Sequence, residues 1–107
     1  MTQQPPENET SSGINPHSAI FYACRALWGE VSPALRAMAI DWDEKFIYLF
    51  FYYDGEISEE DIESAECACT EIIADFWEHY EFDLQILRLD APQKIPERGC
   101  MVYRRRE

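Results

Sequence analysis

Apolar residues recur along this chain at two different spacings, and the switch between them marks out its elements. Ile20, Ala23, Cys24, Leu27 and Trp28 repeat at helical spacing behind Asn15-Pro16, an N-cap followed by proline at the first helical position. Gly29 supplies the stop. From Leu35 to Trp42 the spacing shortens to two, with Arg36, Met38, Ile40 and Trp42 on one side and Leu35, Ala37, Ala39 and Asp41 on the other. The polar triplet Asp43-Glu44-Lys45 then turns the chain into a second strand, Phe46 to Tyr53, and the pair reads as a hairpin. That second strand is apolar on both faces, Ile47, Leu49, Phe51 and Tyr53 against Phe46, Tyr48, Phe50 and Tyr52. A doubly apolar strand is expected at the centre of a sheet. Its aromatic side is either covered like the other or partly open as a binding surface, in which case Tyr48 and Tyr52 are its candidate contacts.

Beyond Asp54-Gly55 the spacing returns to that of a helix. Ser58 is a good N-cap with Asp61 in the capping-box position, and Ile57 and Ile62 have the spacing of a hydrophobic staple. Ile62, Ala65, Cys69, Ile72, Ile73 and Phe76 fall on one side; Glu60, Glu63, Cys67, Glu71 and Asp75 fall on the other. Residues Tyr80 to Leu89 read as a third strand, with Tyr80, Phe82, Leu84 and Ile86 inward. Its neighbour, the first strand or the second, is left open. Ala91 to Gly99 is a proline-containing loop, and Cys100 to Arg104 a short final strand. The expected fold is therefore one α+β domain over residues 15–107, in the order α-β-β-α-β-β. A mainly antiparallel four-stranded sheet carries both helices on one face, behind a disordered tail over 1–14.

Charge changes the picture at one place. The chain of 107 residues has 21 acidic and 9 Lys or Arg residues, a formal net charge of -12. The span from Asp54 to Asp83 alone holds 12 acids (8 Glu and 4 Asp) and no Lys or Arg. A charged helix face is ordinarily just solvated, but solvated faces usually alternate Glu with Lys at i, i+4. Here Glu60 to Glu63 and Glu71 to Asp75 are like charges, which marks the face as a candidate for meeting a basic partner. The same acidity, a pI near 4.4, argues against nucleic-acid backbones and anionic membranes as partners. The amino terminus lacks a basic start and an apolar core, and no apolar run is long enough to span a bilayer, so a cytoplasmic location is expected.

Candidate chemistry is sparse. Cys67 and Cys69 are two apart on a helix and point to different sides, and the four cysteines read as free thiols rather than metal ligands. Four scattered glycines make no phosphate loop, and the weak pairing of His79 with Glu78 and Glu81 is no nucleophile arrangement. No cofactor, metal or enzymatic activity is expected.

The runs W-D-E-K-F-I-Y-L-F-F-Y-Y-D-G-E-I-S-E-E-D-I-E-S-A-E, T-E-I-I-A-D-F, L-R-L-D-A-P-Q-K-I-P and V-Y-R-R-R-E resemble small bacterial immunity proteins of contact-dependent growth inhibition systems. The resemblance covers about Ala26 to Glu107. It implies an α+β fold, a cytoplasmic home, no reaction catalysed, and one partner: the toxic C-terminal domain of a delivered effector. Many such toxins are nucleases with basic substrate surfaces, which an acidic protein would occlude. Contact residues in such pairs are matched to individual toxins, so they are drawn from the physics alone: Asp54, Glu56, Glu60, Glu63, Glu71 and Asp75, with Tyr48 and Tyr52 on the aromatic strand. The alternative is an acidic adaptor or nucleic-acid mimic that binds a basic cellular protein unrelated to toxins. The basic end Arg104-Arg105-Arg106 either lies near the acidic surface or is free.

Overall fold

The computed structural model describes residues 16–76 and 80–107. The expected tail over 1–14, the Asn15 cap and the His79 pairing lie outside those residues. The described elements are α1 (Pro16–Ala26), β1 (Leu35–Trp42), β2 (Phe46–Tyr53), α2 (Glu59–Asp75), β3 (Glu81–Arg88) and β4 (Cys100–Arg104), in the expected order. The four strands form one sheet in the order β3-β2-β1-β4. β1 and β2 are an antiparallel hairpin that sets Met38 opposite Phe51 and Ile40 opposite Leu49. β4 runs antiparallel on the other side of β1. The open question of the third strand resolves in favour of β2, to which β3 runs parallel from Phe46↔Glu81 to Tyr53↔Arg88. Parallel neighbours need a crossover of a dozen or more residues, and the 17 residues of α2 provide it.

Both helices cover one face of the sheet, in a single core with Met38, Ile40, Ile47, Leu49, Phe51 and Tyr53. What they turn inward agrees with the pattern read along the chain at Ala23, Leu27, Ala65, Cys69 and Ile72 and departs from it elsewhere. On α1 the buried residues are Ala19, Ala23 and Ala26, with Leu27 just beyond its end, while Cys24 is exposed and Trp28 is 74% exposed. On α2 they are Asp61, Ala65, Ala68, Cys69 and Ile72, while Ile62 and Ile73 are 38% and 44% exposed. The reason is volume. The sheet presents large side chains, and a close-packed interior accepts small residues opposite large ones. An alanine face lets each helix approach the sheet and rotates its bulkier apolar residues towards the edge of the contact.

β1 departs from strict alternation as well. A bulge between Leu35 and Ala37 makes Leu35 pair with Tyr53 and Ala37 with Tyr52, so Leu35 joins Met38 and Ile40 in the helix-side core. Arg36, expected on that side, is the extra residue and is 2% exposed. On the opposite face of the sheet Ala37, Ala39, Phe50 and Tyr52 form a second, smaller cluster closed by Ile95 from the loop between β3 and β4. That loop enters β4 through Gly99, where any Cβ would collide with the Ile40 carbonyl oxygen and φ is +53. α1 ends at Ala26, earlier than the expected stop, and Gly29, with φ +80, lies in the turn that follows.

Ser58 caps α2: its Oγ accepts from the Asp61 N–H at 3.1 Å. Ser58→Ala removes that acceptor and is expected to lower stability by about 1 kcal/mol in a urea titration.

Candidate functional site

The acidic helix is built from its cap outward. Glu59, Glu60 and Asp61 occupy its first turn, where the partial positive charge of the helix N-terminus favours carboxylates. Seven of its 17 residues are acidic and none is basic. With the alanine side turned to the sheet, Glu60, Glu63, Glu66 and Glu71 are all exposed. Glu63, Glu66, Cys67, Thr70 and Glu71 line a shallow depression of about 370 Å³ along the outer side of the helix. Thr70 Oγ1 donates back to the Glu66 carbonyl at 3.0 Å, so its hydroxyl proton is already engaged by the helix backbone. Glu66 was missing from the residues picked out by helical spacing. Once the alanine side is taken as inward, it falls on the outward arc beside Glu63 and Cys67.

Not all the candidate acids lie free on that arc. Asp75 is paired with Arg25 of α1, so compensation absent within α2 comes from the neighbouring helix at this position. The pair also sets a cation beside the negative end of the helix dipole. Asp54 accepts from the Ala91 N–H and from Arg105 Nη2, both at 3.1 Å. Those bonds, the first of them foremost, hold its carboxyl below the usual carboxylate range. Asp90 answers from the other strand end, accepting from the Gly55 N–H at 2.7 Å. Asp54 and Asp90 therefore tie the connections that flank β2 and β3. Glu56 is exposed nearby and adds to the negative field around Arg88.

The two tyrosines part company. Phe46, Tyr48, Phe50 and Tyr52 stack in a ladder along β2, with ring planes 15° to 21° apart. Tyr52 and Phe50 are buried at 3% and 4% exposure, under Ile95 and with the Arg98 guanidinium 4.8 Å over the Phe50 ring. Tyr48 is half-buried at the outer end of the ladder, and its hydroxyl donates to Asp43 Oδ2 at 2.9 Å. Asp43, Glu44, Lys45, Phe46 and Tyr48 line a second open depression of about 490 Å³. So the aromatic face is covered at one end and accessible at the other.

The basic end of β4 is tied down at Arg105, which pairs with Asp54 at the head of the acidic span rather than with an acid of α2. Arg36 donates to both carboxylate oxygens of Glu107, from Nε at 2.7 Å and from Nη2 at 2.9 Å, and from Nη1 to the Leu89 carbonyl at 2.7 Å. Arg105 reaches Asp54 and Glu107, each at 3.1 Å. No sequence periodicity announces this clamp; a buried arginine at a bulge is its only signal. Chiefly through the Arg36 hydrogen bonds, the Glu107 carboxyl falls from an ordinary 4.5 to about 2. A carboxyl whose folded pKa lies below its unfolded one adds stability above pH 4.5, and that contribution disappears as the pH falls towards 2. Glu107→Gln is therefore expected to lower the melting temperature at pH 6 and to narrow its gap to the parent as the pH falls from 4.5 towards 2. Thermal melts across that range check it.

Chemically, this surface offers carboxylates to a cation-bearing partner and little else. Among the described residues no group of His, Cys, Asp and Glu could hold a metal ion, and no helix is long and apolar enough to cross a membrane. The four cysteines are unpaired. The chain has no match among curated proteins. Its residues 16–107, a span that takes in both helices and all four strands, match the family model of the MafI2 immunity protein, and the chain belongs to that family.

Proposed function

We propose that this immunity protein neutralises its cognate toxin domain by laying the outer face of α2 on a basic surface of that domain. The observation that carries the reading is the exposed, uncompensated quartet Glu60, Glu63, Glu66 and Glu71 on a helix without a single Lys or Arg. A basic surface of that kind suits a nuclease, whose substrate site is lined to grip phosphates. The carboxylates of α2 would stand where phosphates otherwise lie, which both steers the encounter and occludes the substrate. Family membership favours a toxin over an unrelated basic host protein as the partner. The setting we propose is a contact-dependent growth inhibition system in which the protein acts in the cytoplasm, binding protein rather than nucleic acid or membrane. It works by occlusion, without catalysis or cofactor. Asp75 and Asp54 contribute to the field of this face but are held by Arg25 and Arg105, so Glu56 and the quartet are the contacts expected to matter most.

Growth protection tests this reading. Cells that produce the cognate toxin domain should survive with the parent protein. They should lose most of that protection with the variant Glu60→Gln, Glu63→Gln, Glu66→Gln and Glu71→Gln made at equal abundance. Full protection by that variant would move the interface to the accessible end of the aromatic ladder at Phe46 and Tyr48.

A further inference from the structure

Both helices turn alanines to the sheet, and the displaced bulk has to go somewhere. Among the described residues five large hydrophobics are exposed: Phe21 (57%), Trp28 (74%), Val31 (42%), Ile62 (38%) and Ile73 (44%). All five lie on α1, on α2 or directly after α1, and none lies on the opposite face of the sheet. Phe21 and Arg25 are one turn apart on α1, and Trp28 follows in the turn after the helix, its N–H donating to the Arg25 carbonyl at 3.1 Å. The Arg25 guanidinium lies 5.7 Å from the Phe21 ring centre and reaches across to Asp75, which joins this apolar side to the last turn of α2. The helical layer thus combines an apolar stripe on one helix with an acidic stripe on the other. Scattered single hydrophobics are ordinary on a surface; a tryptophan three-quarters exposed, just after a helix that also exposes a phenylalanine, is the composition of a binding anchor.

We propose that Trp28, supported by the exposed Phe21 of the preceding helix, is the apolar anchor of the toxin interface, and that it inserts into an apolar recess whose rim carries Lys and Arg. This rests on the reading of α2 as the acidic face. A second copy of this chain is a poor occupant, because apposing two helical layers would bring α2 against α2, with seven acids and no base on each. A basic partner meets both stripes favourably: its cations face the glutamates, and a guanidinium or ammonium at the rim gains further from the indole face. The two stripes then divide the work. Long-range charge governs how fast the pair meets, and the desolvated aromatic governs how long it stays together.

The test measures association and dissociation rates of the 107-residue protein with its cognate toxin domain, for Trp28→Ala, Trp28→Phe and the four-fold glutamate variant. Because Trp28 is exposed, Trp28→Ala should melt within a few degrees of the parent. It should dissociate about 30-fold faster, the size of a hot-spot loss, with association changed less than about threefold and its salt dependence intact. Trp28→Phe should recover part of the lost residence time. Dissociation of Trp28→Ala within about twofold of the parent overturns the anchor. If the glutamate variant still associates slowly in that case, the acidic reading survives without it. Faster dissociation of Trp28→Ala beside normal association of the glutamate variant keeps the anchor and discards the acidic face. Sedimentation of the free protein covers the remaining occupant: a dimer that Trp28→Ala splits, with toxin rates unchanged, assigns this surface to self-association and overturns the proposal.

Discussion

Ile72→Ala is expected to cost about 2–5 kcal/mol of folding stability, whereas Ile73→Ala, one residue along, should cost well under about 1 kcal/mol. Ile72 is fully buried against the helix-side face of the sheet, at 0% exposure, and joins Leu49 and Phe51 in the main core. Removing its side chain beyond Cβ leaves a void that a close-packed interior does not refill, so the cost includes both lost burial and the residual cavity. Ile73 keeps 44% of its surface in solvent, and the change there forfeits only partial burial while gaining a little helix propensity. Urea titrations of the two variants give the contrast directly. Equal losses would mean that α2 is rotated from the alanine-inward phase, with Ile62 and Ile73 back in the core.

That contrast also locates what the chain discloses by itself. Strand period and turn chemistry are local, so the hairpin, the cap at Ser58 and the loop 91–99 were legible from the residues. The doubly apolar Phe46 to Tyr53 announced a central strand, and β2 is flanked by β1 and β3. The phase of each helix was less legible, because a wheel weighted by hydrophobicity favours the largest apolar side chains. The sheet's own bulk instead favours alanines around Leu27 and Ile72 and leaves Trp28, Ile62 and Ile73 outside, a choice only the packed partner reveals. Pairing of β3 with β2 rather than β1 is a long-range choice that no local pattern encodes, as is the Arg36–Glu107 clamp spanning most of the chain. For the candidate site, the acidic helix was visible as a run of unmatched charge. The separation of Asp54 and Asp75, held by Arg105 and Arg25, from the free-standing Glu60, Glu63, Glu66 and Glu71 required the fold.

The second large effect belongs to those four glutamates. Converting them to glutamine removes like-charge repulsion along one helix face and forfeits the favourable first-turn charge of Glu60, so the stability of the fold itself should change little. The complex should respond in the opposite direction. Steering by complementary charge raises association rates by about 10–1000-fold and is screened over about 10 Å at 0.1 M salt, so the loss should be greatest in dilute salt. Any glutamate desolvated against a toxin cation would add about 2–5 kcal/mol through faster dissociation, much of it from the cation left unpaired.

The decisive measurement is the association rate of the four-fold variant with the toxin domain at two ionic strengths, set against the parent protein. If α2 meets a basic surface, the parent's rate falls steeply between low and high salt. The variant should start at least about tenfold slower in low salt and show a nearly flat salt dependence. Parent and variant rates that coincide at both ionic strengths would contradict the central claim and exclude the acidic face of α2 from the interface.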